Sequence, residues 1–161
     1  MNTKLNKASV LTGVDLIDKQ HFKYFSIVNN MMEKLGDKEQ NKTLFKELNN
    51  YVIYHFKTEE DFMNKYNYDK TALHVRQHDY FRDKIKELTR IYSKTSDFDV
   101  NAKMKISCLL IDWLVQHIQT VDKNLCEFII AQSANDSSIL KALKSLLNRF
   151  TAKHGEEAQW Q

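Results

Sequence analysis

At 161 residues the chain is long enough for one domain with a real core and too short for two. It has no proline and only three glycines, Gly13, Gly36 and Gly155, so little interrupts long helices and an all-α fold is favoured. Its net charge of +3 comes from 24 basic and 21 acidic residues dispersed along the chain, with no basic block of the kind that tracks a phosphate backbone, which argues against a nucleic-acid partner.

Residues 1 to 14 show no clear period and read as an irregular arm laid over the domain. The first predicted helix starts near Asp15 or Asp18, acidic residues suited to a helix start, and ends at Gly36, a natural residue for the position just past the end. Its inward stripe is His21, Tyr24, Phe25, Val28, Met31 or Met32, and Leu35. A second helix from about Lys42 carries Leu44, Leu48, Val52, His55, Glu59 and Phe62 in register, and breaks near residues 64 to 68. The third, from about residue 70 to Tyr92, reads His74, His78, Phe81, Ile85, Leu88 and Tyr92.

Asp99 can cap a fourth helix that continues to about Ala131, with Leu110, Trp113 or Leu114, His117, Val121 and Leu125 inward. Short connections between four long amphipathic helices imply an up-down-up-down antiparallel four-helix bundle. After a break at residues 133 to 136, Ile139, Leu140, Leu143, Leu146, Leu147 and Phe150 form the stripe of a fifth, C-terminal amphipathic helix, with Lys141, Lys144, Arg149 and Lys153 elsewhere on its wheel. Residues 1 to 132 are expected to form the bundle, and residues 133 to 161 an extension within the same domain. Its stripe must be covered, by the protein's own bundle or by a second copy in a homodimer; the other reading is docking of this basic face on a partner or an anionic membrane surface.

No segment approaches the roughly 18 apolar residues that span a bilayer, and the richest, residues 106 to 115, carries Asp112. Residues 1 to 11 hold lysines but no continuous apolar core, so they do not read as a signal peptide, and a cytoplasmic protein is expected. Cys108 and Cys126 fall on one predicted helix, where a rise of about 1.5 Å per residue sets them roughly 27 Å apart, too far for a disulfide.

Each of the four bundle stripes carries an ionisable side chain, which costs several kcal/mol to bury unless it is paired, hydrogen-bonded or metal-bound. The set is His21, His55, Glu59, His74, His78, His117 and Asp122, five of the chain's six histidines with two carboxylates. His74 and His78, four apart, lie about 40° apart around a helix and can reach one metal. A single histidine on an apolar face is more often a satisfied core residue than a ligand. Seven such groups would need separate partners in one core. If the helices alternate direction, all seven come to one end of the bundle, too many donors for one ion but suited to a pair. Mixed imidazole and carboxylate donors suit iron, and the absence of a cysteine from the set argues against structural zinc or an iron–sulfur cluster. His117 and Asp122 are five apart, about 140° around a regular helix, so either a wide turn of the π type or a carboxylate reaching sideways is expected.

In Gly13, Ile17, Asp18, Gln20 and His21; His55, Glu59, Glu60 and Met63; His74, His78 and Phe81; and Trp113, Leu114, His117 and Asp122, the chain resembles the bacterial hemerythrins. The resemblance implies two non-haem iron ions with an oxygen bridge from solvent, one held by His74, His78 and His117, the other by His21 and His55, with Glu59 and Asp122 bridging. It leaves the second iron a ligand short, and in the family dioxygen binds reversibly at that position. Tyr24, Phe56, Phe62, Trp113 and Ile118 are candidates for the apolar wall around the bound gas. Family members commonly have an aliphatic residue where Tyr24 stands; its phenol could hydrogen-bond bound oxygen or admit water. The tryptophan that members often carry before the first glycine is absent, and many lack the C-terminal tail.

The expected function is therefore dioxygen carriage, storage or sensing, not enzyme catalysis. With no second domain in the sequence to receive a signal, carriage, buffering or scavenging is favoured. The rival is a di-iron enzyme, an oxidase or peroxidase acting on oxygen, peroxide or nitric oxide, but ferritin-like oxidases use carboxylate-rich sites, and here imidazoles outnumber carboxylates.

Overall fold

A computed structural model describes residues 10–96 and 98–155, and every regular element among them is helical. Helix α1 is Asp15–Lys34, α2 Lys38–Lys65, α3 Thr71–Tyr92, α4 Val100–Ser107, α5 Trp113–His117, α6 Lys123–Ser133 and α7 Ser137–His154. Two π-helical segments, Cys108–Asp112 and Ile118–Asp122, join α4 to α5 and α5 to α6, so the fourth expected helix is one run interrupted twice by wider turns. The part of the N-terminal arm before Val10 lies outside the described residues.

The helix starts follow from local chemistry. Asp37, Asp99 and Asp136 each adopt extended backbone and accept a hydrogen bond from the first turn of α2, α4 and α7, satisfying donors that helix geometry leaves open. Asp37 starts α2 several residues earlier than the expected Lys42, because its cap to the Gln40 amide, at 2.8 Å, directly follows the Gly36 terminator. Gly36 takes φ 147°, which an L side chain rarely adopts.

The described residues fall into two compact units. One combines those up to Lys23 with those from Leu114 onward. Here the Asp18 carboxylate accepts from the Thr12 amide and hydroxyl, both at 2.7 Å, and from the Gly13 amide at 3.2 Å, tying the chain before α1 to its first turn. Gly13 takes φ 88°, and a Cβ there would lie 3.4 Å from Ile130 Cδ1, so both backbone and space favour glycine. Helix α7 packs against α6 and buries Ile139 and Phe150, so part of the expected stripe is covered by the chain itself. Leu143, Leu146 and Leu147 are half-buried and Leu140 is exposed.

The other unit, Tyr24–Trp113, is built on the α2–α3 pair. Phe25, Val28, Phe45, Leu48, Phe56, Met63, Phe81 and Ile85 are buried in it. Burying each such side chain contributes about 1.5–3 kcal/mol, so the positions flanking the histidines are among the most firmly held in the unit. Neither cysteine forms a disulfide; Cys126 is buried and Cys108 exposed. No helix among the described residues is long and apolar enough to cross a membrane.

Candidate metal centre

In the Tyr24–Trp113 unit, α2 presents His55 and Glu59 one turn apart, and α3 presents His74 and His78 at the same spacing. All four are at most 1% exposed. Glu59 divides its carboxylate between them: Oε1 lies 3.7 Å from His55 Nε2, while Oε2 lies 3.1 Å from His78 Nε2 and 3.5 Å from His74 Nε2.

In the other unit, His21 of α1, His117 at the end of α5 and Asp122 at the end of the second π segment form a similar group, each at most 1% exposed. Asp122 also divides its oxygens, Oδ2 standing 3.2 Å from His21 Nε2 and Oδ1 3.0 Å from His117 Nε2. The turn between His117 and Asp122 is of the π type, the first of the two expected arrangements, with the Lys123 amide donating to the Ile118 carbonyl five residues back. In such a turn residues five apart stack as residues four apart do in an α-helix, which brings carboxylate and imidazole together.

The donor chemistry fits a metal. Nitrogen and oxygen atoms bound at about 2.1 Å on adjacent corners of an octahedral ion stand about 3 Å apart, close to the separations within both groups. Glu59, His74 and His78 offer ligand atoms within 4.8 Å of one another, as do His55 with Glu59, His21 with Asp122, and His117 with Asp122. A carboxylate excluded from water is costly without such partners, so one beside three imidazoles in one unit and one beside two in the other are an expensive way to fill a core and an effective way to hold cations.

Around these groups, Phe56 stacks flat on His78, ring centroids 3.8 Å apart and planes 5° off parallel. Trp113 stacks on Phe81 at 4.1 Å, and Phe81 meets Phe56 edge-on at 6.1 Å. Phe62 is buried and lies against Tyr66, and Ile118 is buried at the start of the second π segment. The Tyr24 phenol donates to the Leu110 carbonyl at 2.9 Å, so its one proton already has an acceptor other than a bound gas; burial pushes its ionisation well above the usual tyrosine range.

Two residues outside the expected set also reach the His74–His78 group. Glu60 Oε1 accepts from His78 Nδ1 at 2.8 Å and from Arg82 Nη2 at 2.7 Å. Burial works to raise the Glu60 carboxyl, but the bonds from His78 and Arg82 outweigh it and hold it below the ordinary carboxylate range. Sequence reasoning quotes Glu60 only as part of a resemblance and does not single out Arg82. The available signal is spacing, because Arg82 follows His78 by four residues and shares its side of α3.

A model of the hemerythrin HHE cation-binding domain matches residues 12–129. Among curated proteins, the Bacteriohemerythrin of Methylococcus capsulatus is 32% identical over 114 residues, 70% of this chain and 85% of that protein. That of Clostridium acetobutylicum is 29% identical over 118 residues, 69% of this chain and 89% of the relative. A Pseudomonas aeruginosa relative of the same name is 29% identical over 144 residues, covering 86% of this chain and 92% of its own length. A crystal structure of wild-type hemerythrin aligns with TM-score 0.64 and 28% identity over 76% of this chain and 94% of that one. The expected all-helical fold is thus matched by a solved structure.

Proposed function

The chain belongs to the hemerythrin HHE cation-binding family, and from that premise we propose that His21, His55, Glu59, His74, His78, His117 and Asp122 together hold two non-haem iron ions and that the protein binds dioxygen reversibly. The observation that carries this reading is the way each carboxylate divides its oxygens. The family's ligand order puts His74, His78 and His117 on one iron and His21 and His55 on the other. Glu59 turns one oxygen to His55 and the other to His74 and His78; Asp122 turns one to His21 and the other to His117. Each carboxylate therefore has one oxygen for each iron's histidines, as a bridging ligand requires.

Two ferrous ions held by these residues would supply the two electrons that a diatomic ligand takes up on binding and returns on leaving. The protein's task is to keep that exchange reversible. Imidazoles outnumbering carboxylates favour binding over oxygen activation, and the apolar side chains of Phe56, Phe62, Trp113 and Ile118 limit water near the ligands. We read the C-terminal helix as part of the same domain, its remaining apolar surface serving a homodimer, and the protein as a cytoplasmic carrier or buffer of oxygen.

The test is anaerobic reduction followed by oxygen titration with iron quantified. A long-lived visible band that saturates at one oxygen per iron pair and disappears under vacuum is expected. Rapid decay of the band with steady consumption of a reductant would instead make the protein a di-iron oxidase or peroxidase, and a chain that retains no iron would make it a structural bundle.

A further inference from the structure

We propose that Glu60 and Arg82 form a clamp that fixes the imidazole of His78 from outside the ligand set, holding its Nε2 toward Glu59. The inference rests on the di-iron reading for its purpose, though not for its geometry. Glu60 grips the ring's edge, accepting from Nδ1 at 2.8 Å. Phe56 covers its face at 3.8 Å. Arg82 supports both contacts, donating to the same Glu60 oxygen at 2.7 Å while its guanidinium carbon lies 5.2 Å from the Phe56 ring centre. Its other terminal nitrogen donates to Asp79 at 2.9 Å, so the guanidinium is itself tethered on α3.

The chemistry makes this arrangement directional. An ionised carboxylate can only accept, so the Glu60 contact requires the proton on Nδ1 and leaves Nε2, 3.1 Å from Glu59 Oε2, as the nitrogen that a metal shared with that carboxylate would take. A histidine held in that tautomer before metal arrives loses no freedom when it binds, and the carboxylate raises its strength as a donor. Arginine suits the outer position because its planar fork serves two carboxylates while its face lies over an aromatic ring, which a lysine cannot do. Glu60 and Arg82 side chains are 23% and 22% exposed, so the clamp links a buried ligand to the edge of solvent. Both are positioning residues; neither is proposed to touch the metal.

The test uses the full-length chain in wild-type, Glu60→Ala, Glu60→Gln and Arg82→Met forms. In the metal-free proteins, nitrogen-15 spectra of the histidine side chains report where the His78 proton sits; anaerobic titration with ferrous ion reports affinity. The wild type should show a protected Nδ1 proton on His78. Glu60→Ala should lose it and bind ferrous ion about 10–100-fold more weakly. Glu60→Gln, whose amide oxygen still accepts from Nδ1, should recover most of the affinity and retain the Nδ1 proton, and it is the return of that proton that a merely space-filling role does not predict. Arg82→Met should fall between. Equal affinity in wild type and Glu60→Ala, or a His78 whose Nδ1 carries no proton in the wild type, overturns the clamp. If the wild type binds no iron the di-iron reading fails, and the nitrogen-15 result still decides the clamp.

Discussion

Asp122 Oδ1 stands 3.0 Å from His117 Nε2 although the two are five positions apart in sequence, a spacing that a regular α-helix sets about 140° apart. The π turn over Ile118–Asp122 resolves the conflict by fitting one extra residue into the turn. Inserting one alanine after the exposed Gln119 should set the two residues six apart, a spacing that neither winding brings to one face, and swing Asp122 away from His117. We expect far-UV circular dichroism close to wild type and iron content below half of it. A full iron load in the insertion variant would mean that the spacing set by the wide turn is not needed.

The bond from Tyr24 to Leu110 predicts a stability effect. Both groups are buried, and the phenol stays protonated across the physiological range because burial raises its ionisation. Tyr24→Phe leaves the Leu110 carbonyl without that donor, at an expected cost of about 1–3 kcal/mol in urea unfolding. Unchanged stability would show that the carbonyl finds another partner once the phenol is gone.

Asp18 gathers three donors from Thr12 and Gly13 onto one carboxylate. Asp18→Ala removes every acceptor at once, and the stretch carrying buried Val10 and Val14 should loosen from α1. Hydrogen exchange at the Thr12 and Gly13 amides should accelerate at least about tenfold, the equivalent of 1.4 kcal/mol of local opening. Exchange at wild-type rates would move the tether elsewhere.

The last turn of α7 should respond to pH. Burial first, then the charges of Lys153 and Lys23, hold the His154 imidazole below its ordinary value of 6.5. A base whose folded pKa is lowered binds more protons when unfolded, so its contribution is present above pH 6.5 and is lost as pH falls through the folded value. Amides of Thr151 to Gly155, including the Gly155 to Thr151 bond at 2.8 Å, should therefore exchange faster, relative to intrinsic rates, at pH 5.5 than at pH 7.5. His154→Gln should flatten that dependence. A turn equally protected at both values would contradict it.

Much of this was legible from spacing. The apolar periods located α1, α3 and α7 within a few residues, and the i, i+4 pairs His55 with Glu59 and His74 with His78 are set by helix geometry alone. The His117–Asp122 interval narrowed the choice to a wide turn or a sideways-reaching carboxylate because two functional residues framed it, and the structure has the wide turn. The first π segment, Cys108–Asp112, had no such frame and went unseen. Glu60 meeting His78, and Tyr24 meeting Leu110, depend on how neighbouring segments slide and rotate against each other, which side-chain periodicity within one helix does not encode. Leu140 shows the converse limit, since a period identifies an apolar stripe but not how far a neighbour extends to cover it.

Bound iron is the premise on which every role given to these seven side chains depends. Diffraction from crystals of the iron-loaded protein, collected on either side of the iron absorption edge, locates iron without assumption. Two anomalous peaks per chain are predicted, joined by the carboxylates of Glu59 and Asp122, with His74, His78 and His117 on one and His21 and His55 on the other. A single peak, or iron found only on surface carboxylates while these seven side chains remain without it, would contradict the account.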